Sequence, residues 1–167
     1  MIETPPPADR TPADVLREIR DSFRKGSRPS TGQGTGPAGE ALPPDSHTPT
    51  VLIVEDDEAS REAMTSWLVA EGFSVLAAAD GHEAAGHLEH PPEPIDVVVL
   101  DVGLPDVNGV DLCRRVRELY PAMPVVVCTG GAAPEEVARL VRLGATRYFH
   151  KPVEPDELLS AVGAAVP

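Results

Sequence analysis

Residues 97–101 read VVVLD, four consecutive aliphatic residues with an aspartate directly after them. A short run without polar residues at alternate positions is typical of a strand that is buried on both faces, as in the parallel sheets of α/β proteins. Similar runs occur before and after it, VLIV at 51–54 and VVVC at 125–128, and polar residues follow each of them. The three runs therefore predict the central strands of one parallel sheet.

Segments with the period of amphipathic helices separate these runs, and two weaker strand candidates complete the pattern. Strict alternation of strands and helices is typical of βαβ units, whose strands are parallel. Five units are too few for an eight-stranded barrel, so we expect an open α/β sheet with helices on both faces. The predicted strands cover 50–54, 74–78, 95–100, 124–128 and 146–149, and the predicted helices cover 58–71, 81–90, 108–119, 134–143 and 155–165.

Capping residues mark two of the predicted helices. Asp57 can cap the first helix with its carboxylate, and Gly72 follows the last turn of that helix, where a glycine stop is common. Pro155 suits the first turn of the last helix, because the N–H that proline lacks has no helical partner there. These signals support the predicted helix boundaries.

Polar residues follow four of the predicted strands at the point where each strand ends. In an open parallel sheet, ligands bind beyond the carboxyl ends of the strands, so side chains from distant parts of the chain converge there. Carboxylates, a hydroxyl and a lysine are together suited to a phosphate-and-metal site. The residues concerned are Glu55, Asp56, Asp57, Asp101, Thr129 and Lys151.

This set of residues resembles the receiver domain of two-component response regulators of the chemotaxis-regulator type. The resemblance implies a flavodoxin-like (βα)5 fold, a doubly wound open parallel sheet with strand order 2-1-3-4-5. The matching pieces are the acidic pair Glu55-Asp56, the segment Asp101-Val102-Gly103-Leu104-Pro105-Asp106, Thr129, Tyr148 and Lys151-Pro152.

The resemblance also implies a magnesium site and a phosphorylated aspartate. Asp56 and Asp101 would bind Mg²⁺ directly, the carbonyl of Gly103 would supply a further ligand, and Glu55 would act through water. Magnesium prefers oxygen ligands and keeps several waters, which suits so small a set of protein ligands. Asp101 would be the nucleophile that accepts the phosphoryl group.

Three further residues would contact the phosphoryl group or respond to it. The ammonium of Lys151, the hydroxyl of Thr129 and the N–H of Gly130 would contact the phosphoryl oxygens, and Thr129 with Tyr148 would form the switch. Two glycines, Gly130 and Gly131, follow Thr129 where many receiver domains carry alanine or a larger residue. We therefore expect an open phosphoryl pocket.

The chain divides by composition into a tail, residues 1–48, and a receiver domain, residues 49–167. The tail is rich in Pro, Gly, Ser and Thr, a composition that buries too little apolar surface to fold alone. Within it, a short amphipathic helix is predicted at 12–25, with Leu16, Ile19 and Phe23 on one face. Two interpretations of that helix stay open: a transient helix without a role, or a segment that docks on a partner or on the receiver domain.

Charge and cysteine content exclude several classes of function. Residues 49–167 contain 8 Lys and Arg against 20 Asp and Glu, and so acidic a domain repels nucleic acid and anionic membranes. Cys113 and Cys128 have neither metal-ligand spacing nor the pattern of a disulfide framework, so we expect reduced thiols. No apolar run is long enough to span a membrane, and no signal peptide is evident. A cytoplasmic protein without nucleic-acid or membrane partners is predicted.

The predicted function is that of a single-domain response regulator rather than an enzyme. A histidine kinase or a phosphotransfer protein would donate the phosphoryl group to Asp101, and phosphorylation would change binding to a downstream protein. Because the fifth predicted helix reaches the last residues, we expect no output domain after it. The alternative is a pseudo-receiver adaptor that acts without phosphorylation. A metal-dependent phosphohydrolase of the haloacid dehalogenase type is disfavoured, because Gly103 occupies the place of its second aspartate.

Overall fold

A computed structural model describes residues 47–166, which alternate strictly between strands and helices. The chain enters the fold through a strand and leaves it through a helix. In chain order, the elements are β1 (Thr50–Val54), α1 (Glu58–Ala70), β2 (Ser74–Ala78), α2 (Gly81–Glu89), β3 (Val97–Leu100), α3 (Gly109–Leu119), β4 (Val125–Thr129), α4 (Pro134–Arg142), β5 (Arg147–His150) and α5 (Pro155–Ala165).

The five strands form one parallel sheet in the order β2-β1-β3-β4-β5. The predicted flavodoxin-like fold and its strand order are therefore confirmed. From β1 the chain crosses to β2 on one side and then reverses to β3 on the other side of β1. This reversal opens a crevice between the carboxyl ends of β1 and β3, which is where ligands bind in such sheets.

The three central strands are buried along their whole length, and their side chains alternate between two cores. On β1, Leu52 and Val54 face the core that α2, α3 and α4 cover, while Val51 and Ile53 face the core that α1 and α5 cover. Because both faces of these strands are apolar, only the strand ends are free to carry polar side chains. The burial pattern thus concentrates the chemistry at one edge of the sheet.

The predicted element boundaries agree with the structure within one residue, apart from the start of β3. That strand begins at Val97, which pairs with Val51, and not at residue 95. The carboxylate of Asp96 accepts the backbone N–H of Thr50 at 2.8 Å. The backbone N–H of Asp96 in turn donates to the carbonyl of Thr50 at 2.8 Å, so Asp96 is joined to the start of β1 by its main chain and its side chain.

The predicted helix ends are also confirmed. The carboxylate of Asp57 accepts the backbone N–H of Ser60 at 2.8 Å and so caps α1. Gly72 follows α1 with φ of 91°, a left-handed conformation that favours glycine. Pro155 occupies the first position of α5. Local chemistry therefore sets where these two helices begin and where the first one ends.

The predicted tail falls outside the described residues except for its last two positions, and the predicted helix at 12–25 lies wholly outside them. Both stay predictions from the sequence. Within the part of the chain that the structure describes, no helix has the length and apolar character needed to cross a membrane.

Candidate functional site

Backbone hydrogen bonds fix the strand ends relative to one another at the carboxyl edge of the sheet. The N–H of Asp101, just after β3, donates to the carbonyl of Val54 at the end of β1, at 2.9 Å. The N–H of Lys151, just after β5, donates to the carbonyl of Thr129 at the end of β4, also at 2.9 Å. Backbone hydrogen bonds alone thus fix the positions of Asp101 and Lys151 relative to the ends of β1 and β4.

Three carboxylates meet beyond β1 and β3. Glu55 is fully buried, Asp101 is 7% exposed and Asp56 is exposed. Each offers one oxygen to a group whose ligand atoms all lie within 4.8 Å of one another. Like charges at this separation repel by about 4 kcal/mol per pair at an effective dielectric of 20. The cluster therefore needs a cation beside it.

The ammonium of Lys151 supplies positive charge to two of these carboxylates. Its Nζ lies 2.6 Å from Oδ2 of Asp101 and 2.5 Å from Oε2 of Glu55. Burial by itself would lower the pKa of Lys151, but hydrogen bonds and attraction to Asp101 and Glu55 outweigh burial and raise it. Burial raises the pKa of the Glu55 carboxyl, and Lys151 opposes that shift only in part. Lys151 is therefore a fixed cation in the pH range near neutrality.

A cleft of about 350 Å³ opens above Asp101. Asp101, Thr129 and Lys151 line its base, and Thr129 is itself only 2% exposed. One wall is the start of the loop between β3 and α3, residues 101–108, which we call the β3–α3 loop. The other wall is the loop at residues 130–133, which we call the β4–α4 loop, together with Glu136. The cleft has room for a phosphoryl group in contact with a carboxylate, a hydroxyl and an ammonium.

The predicted switch residues lie at the ends and faces of neighbouring strands. Thr129 ends β4, and Tyr148 lies on β5, where it is half-buried against the core that α2, α3 and α4 cover. Val127, two residues before Thr129, pairs with Tyr148 across the two strands. The two predicted switch side chains are thus close neighbours along one edge strand pair, although no hydrogen bond joins them.

The acidic group fits a magnesium ion by the chemistry of its donor atoms. Glu55, Asp56 and Asp101 each offer a carboxylate oxygen, and these three atoms lie within 4.8 Å of one another. Magnesium prefers oxygen ligands and completes its coordination with water, so a group of this size suits it. Gly103 is exposed, and its N–H donates to Oδ1 of Asp101 at 2.9 Å, so the loop wraps closely around this carboxylate. Glu55, Asp56 and Asp101 are therefore a suitable set of oxygen ligands, and Gly103, predicted to add its carbonyl, lies two residues after Asp101.

Sequence reasoning missed the part that Asp106 plays in holding the β3–α3 loop. Its carboxylate accepts the backbone N–H groups of Gly81 at 2.9 Å and His82 at 3.0 Å, at the start of α2. These bonds, with a contact to the His82 ring, lower the pKa of Asp106 to about 2. The sequence shows that Asp106 is acidic, but it does not show which groups Asp106 contacts, because these partners lie 24 and 25 residues earlier in the chain.

Glu136 was also missed, and it lines the cleft from the first turn of α4. One of its carboxylate oxygens accepts the N–H of Ala133 at 2.9 Å, three residues earlier. Glu136 lies three residues after the N-cap residue Ala133, which is the spacing of the glutamate in a capping box, although alanine stands in place of the usual serine or threonine. Nothing in the sequence places Glu136 at the cleft.

Two histidines and the two cysteines lie outside this site. His87 is half-buried and His90 exposed at the end of α2, and neither belongs to the group of metal-ligating side chains found among residues 47–166. Cys113 and Cys128 are free and buried in the two cores on opposite faces of the sheet. Burial raises the pKa of the Cys128 thiol to about 12. The sheet itself separates the two sulfur atoms.

Fold and site together define a class of protein. It is a doubly wound parallel α/β domain with an acidic cluster and a lysine at the carboxyl edge of its sheet, where the strand order reverses. The family model described as response regulator receiver domain matches residues 51–163. The chain belongs to the response regulator receiver domain family.

Curated relatives and solved structures agree with this assignment. The chain is 40% identical over 116 residues to the transcriptional regulatory protein CreB of Escherichia coli, and 35% identical over 114 residues to the response regulator MprA of Mycolicibacterium vanbaalenii. Each match covers 68% of this chain and 48% of the relative, so the chain matches about half the length of these two proteins. A crystal structure of a CheY-like receiver domain protein from Methanospirillum hungatei is 31% identical with a TM-score of 0.68, covering 71% of this chain and 93% of the other.

Proposed function

We propose that this protein is a phospho-accepting response regulator in which Asp101 receives a phosphoryl group. The observation that carries the proposal is the position of the Lys151 ammonium, 2.6 Å from Asp101 and 2.5 Å from buried Glu55, at the base of an open cleft. Taking a lysine and two carboxylates out of water costs free energy that offsets much of their attraction, so such a cluster is weak evidence for a purely stabilising role. Together with a bound metal ion, the arrangement suits a site that receives a phosphoryl group.

The proposed reaction is phosphoryl transfer from a phosphohistidine of a histidine kinase or phosphotransfer protein. A carboxylate oxygen of Asp101 forms a bond to phosphorus, the bond from phosphorus to the histidine nitrogen breaks, and the imidazole leaves with the bonding electrons. The protein acts mainly by alignment and charge neutralisation. Lys151 contacts one phosphoryl oxygen, while the hydroxyl of Thr129 and the N–H of Gly130 contact another.

Magnesium is the proposed metal, held by Asp56, Asp101 and the carbonyl of Gly103, with Glu55 acting through water. When bound, the ion supplies positive charge that neutralises the carboxylates and a phosphoryl oxygen. The contribution of the chain is to keep these oxygen atoms within reach of one another. Because Glu55 and Asp101 are buried at the strand ends, their side chains have little freedom to move apart.

The proposed output is a change in binding to a downstream protein. A phosphoryl group on Asp101 attracts the Thr129 hydroxyl toward the cleft, and the space left beside β4 lets Tyr148 repack. Because Tyr148 lies on β5, this movement reshapes the surface formed by α4, β5 and α5. A bistable element of this kind needs a difference of only a few kcal/mol between its two states.

Intact mass after incubation with Mg²⁺ and a small phosphodonor tests the proposal. We expect the wild type to gain one phosphoryl group and Asp101→Asn to gain none. Asp111→Asn is the matched control, because Asp111 is an exposed carboxylate on α3 with a surface partner, Arg114. Excess chelator and Asp56→Ala are each expected to reduce the labelling strongly.

Two outcomes would contradict the proposal. Equal labelling of wild type and Asp101→Asn would place the phosphoryl group elsewhere. Absence of labelling in the wild type with every donor tried would favour the phosphorylation-independent adaptor. A phosphohydrolase of the haloacid dehalogenase type has no support from Gly103, which offers no second carboxylate beside Asp101.

A further inference from the structure

Glu136 is an acidic residue in the wall of the phosphoryl cleft that neither metal binding nor phosphoryl transfer uses. It lies in the first turn of α4 and lines the same cleft as Asp101 and Lys151. The hydrogen bond from the N–H of Ala133 to one of its oxygens, at 2.9 Å, restrains the side chain. The carboxylate is therefore held at the cleft by its own helix.

Glu136 lines the same cleft as Asp101 and Lys151, and Gly130, Gly131 and Ala132 line it as well. Two of these three residues have no side chain, and a Cβ added at Gly131 would meet nothing within 4 Å. A cleft of about 350 Å³ spans about 9 Å if it is roughly spherical, close to the Debye length of about 8 Å at physiological salt. The charge of Glu136 is thus felt by an anion that enters.

The Glu136 carboxylate forms no ion pair among the described residues, although Arg139 lies one turn further along α4. Lys151, the cation of the cleft, is already paired with Glu55 and Asp101. The positive end of α4 is itself opposed by Glu135 and Glu136 in its first turn. An anionic donor therefore meets negative charge on the α4 side.

We propose that Glu136 is a specificity-determining residue for the phosphodonor. It selects against small, highly charged phosphodonors and favours a phosphoryl group that a protein presents together with positive charge facing α4. This inference rests on the proposed function, since it concerns the donor used by Asp101. Like-charge repulsion at a recognition surface is a common means of excluding the wrong partner.

Two small phosphodonors of different charge can test this inference. Acetyl phosphate is a dianion near neutral pH, and its transfer breaks the bond between phosphorus and the acetate oxygen, so that acetate leaves with the bonding electrons. Phosphoramidate carries one negative charge fewer, and its transfer breaks the bond from phosphorus to nitrogen, so that protonated nitrogen leaves as ammonia. In both reactions Asp101 forms the new bond to phosphorus.

The experiment compares initial rates of phosphoryl gain, by intact mass, for wild type, Glu136→Gln and Glu135→Gln with each donor and Mg²⁺. Glutamine keeps an oxygen that can accept the Ala133 N–H, so the helix cap survives while the charge is lost. Glu135→Gln is the matched control, because Glu135 is the exposed neighbour in the same turn and does not line the cleft. Thermal unfolding verifies that both variants fold.

We expect Glu136→Gln to raise the rate with acetyl phosphate about fivefold and the rate with phosphoramidate about twofold or less, as screened repulsion over this distance implies. Glu135→Gln should change both rates by less than about twofold, and the gain of Glu136→Gln should shrink in high salt. An unchanged ratio of the two donor rates in Glu136→Gln, in a protein that is labelled at Asp101, would overturn the inference alone. A wild type that neither donor labels would overturn the proposed function with it.

Discussion

The two loops that flank Asp101 are packed in opposite ways. In the β3–α3 loop, a Cβ added at the adjoining Gly109 would lie 2.4 Å from the Cα of Val102, so the backbone closes on itself there. In the β4–α4 loop, a Cβ added at Gly131 would meet nothing within 4 Å, and one at Gly130 would meet only the Cβ of Lys151, at 3.9 Å. We therefore call the β3–α3 loop the locked loop, or locked wall of the cleft, because its backbone is closely packed. We call the β4–α4 loop the open loop, or open wall, because it has free space around its glycines.

The difference suits the proposed function of the site. Asp101, the proposed nucleophile, and Gly103, a proposed metal ligand, lie on the locked loop, where a small displacement would misalign them. Thr129 is itself buried, but Gly130 and Gly131, which follow it, have free space around them. Packing therefore divides the site into a part that holds geometry and a part that can respond.

The largest expected effect comes from adding one methyl group to the locked wall. Gly109→Ala places a Cβ against the backbone of Val102, which cannot rotate away as a flexible side chain can. We expect the free energy of unfolding to fall by about 1 to 3 kcal/mol, the usual cost of overpacking. Urea unfolding of both proteins measures this change.

The matched substitution on the open wall is Gly131→Ala. Its added methyl group has no neighbour within 4 Å, and its φ lies outside the left-handed region. We expect a change of less than about 0.5 kcal/mol, as for ordinary surface substitutions. Equal losses in Gly109→Ala and Gly131→Ala would remove the distinction between the two loops.

A smaller effect is expected from the carboxylate that ties the locked loop to α2. Asp106→Asn keeps the shape of the side chain but replaces one acceptor oxygen with an amide that faces the N–H groups of Gly81 and His82. We expect a lower urea midpoint than wild type at pH 7. Because the folded-state pKa of Asp106 is about 2, below its ordinary 3.8, its stabilisation is complete above pH 3.8 and is lost as the pH falls toward 2.

The pH dependence identifies the cause of that effect. The difference between wild type and Asp106→Asn should narrow as the pH falls below about 4, because the carboxylate then takes up a proton. Asp111→Asn, at an exposed carboxylate on α3, should show little difference at any pH. A gap between wild type and Asp106→Asn that stays constant from pH 7 to pH 3 would show that charge on Asp106 does not hold the loop.

Most of the fold could be predicted from the sequence because each central strand is a continuous aliphatic run. Parallel strands end at one edge of a sheet, so the approach of Glu55, Asp101 and Lys151 could be expected as well. The strand order came from the family resemblance, because the runs alone do not say which strands are neighbours. The start of β3 was predicted two residues too early, because the apolar residue Ile95 precedes the first regular pair, Val97 with Val51.

The packing of the two loops could not be predicted in this way. The contacts of Asp106 join segments about two dozen residues apart, and no local spacing rule links them. Glu136 has the spacing of the glutamate in a capping box, but its place in the cleft depends on how α4 packs on the sheet. Contacts between loops therefore carry the information that strand patterns lack.

Thr129→Ala is expected to change the spread of a signal rather than stability. It removes a hydroxyl at the end of β4, next to the open loop, and we expect the free energy of unfolding to change by less than about 0.5 kcal/mol. Phosphorylation at Asp101 should persist, because Lys151 and the acidic cluster remain. What the variant loses is the group that couples the phosphoryl oxygens to β4.

Nuclear magnetic resonance can measure this loss with beryllofluoride as a phosphoryl mimic. In wild type, we expect chemical-shift changes to extend from Asp101 through the β4–α4 loop into α4 and β5. In Thr129→Ala, the changes should stay near Asp101 and become small over residues 134–150, with Tyr148 as the most informative position. Large and equal changes over those residues in both proteins would mean that the signal crosses the open wall without Thr129, through the backbone of Gly130 and Gly131 instead.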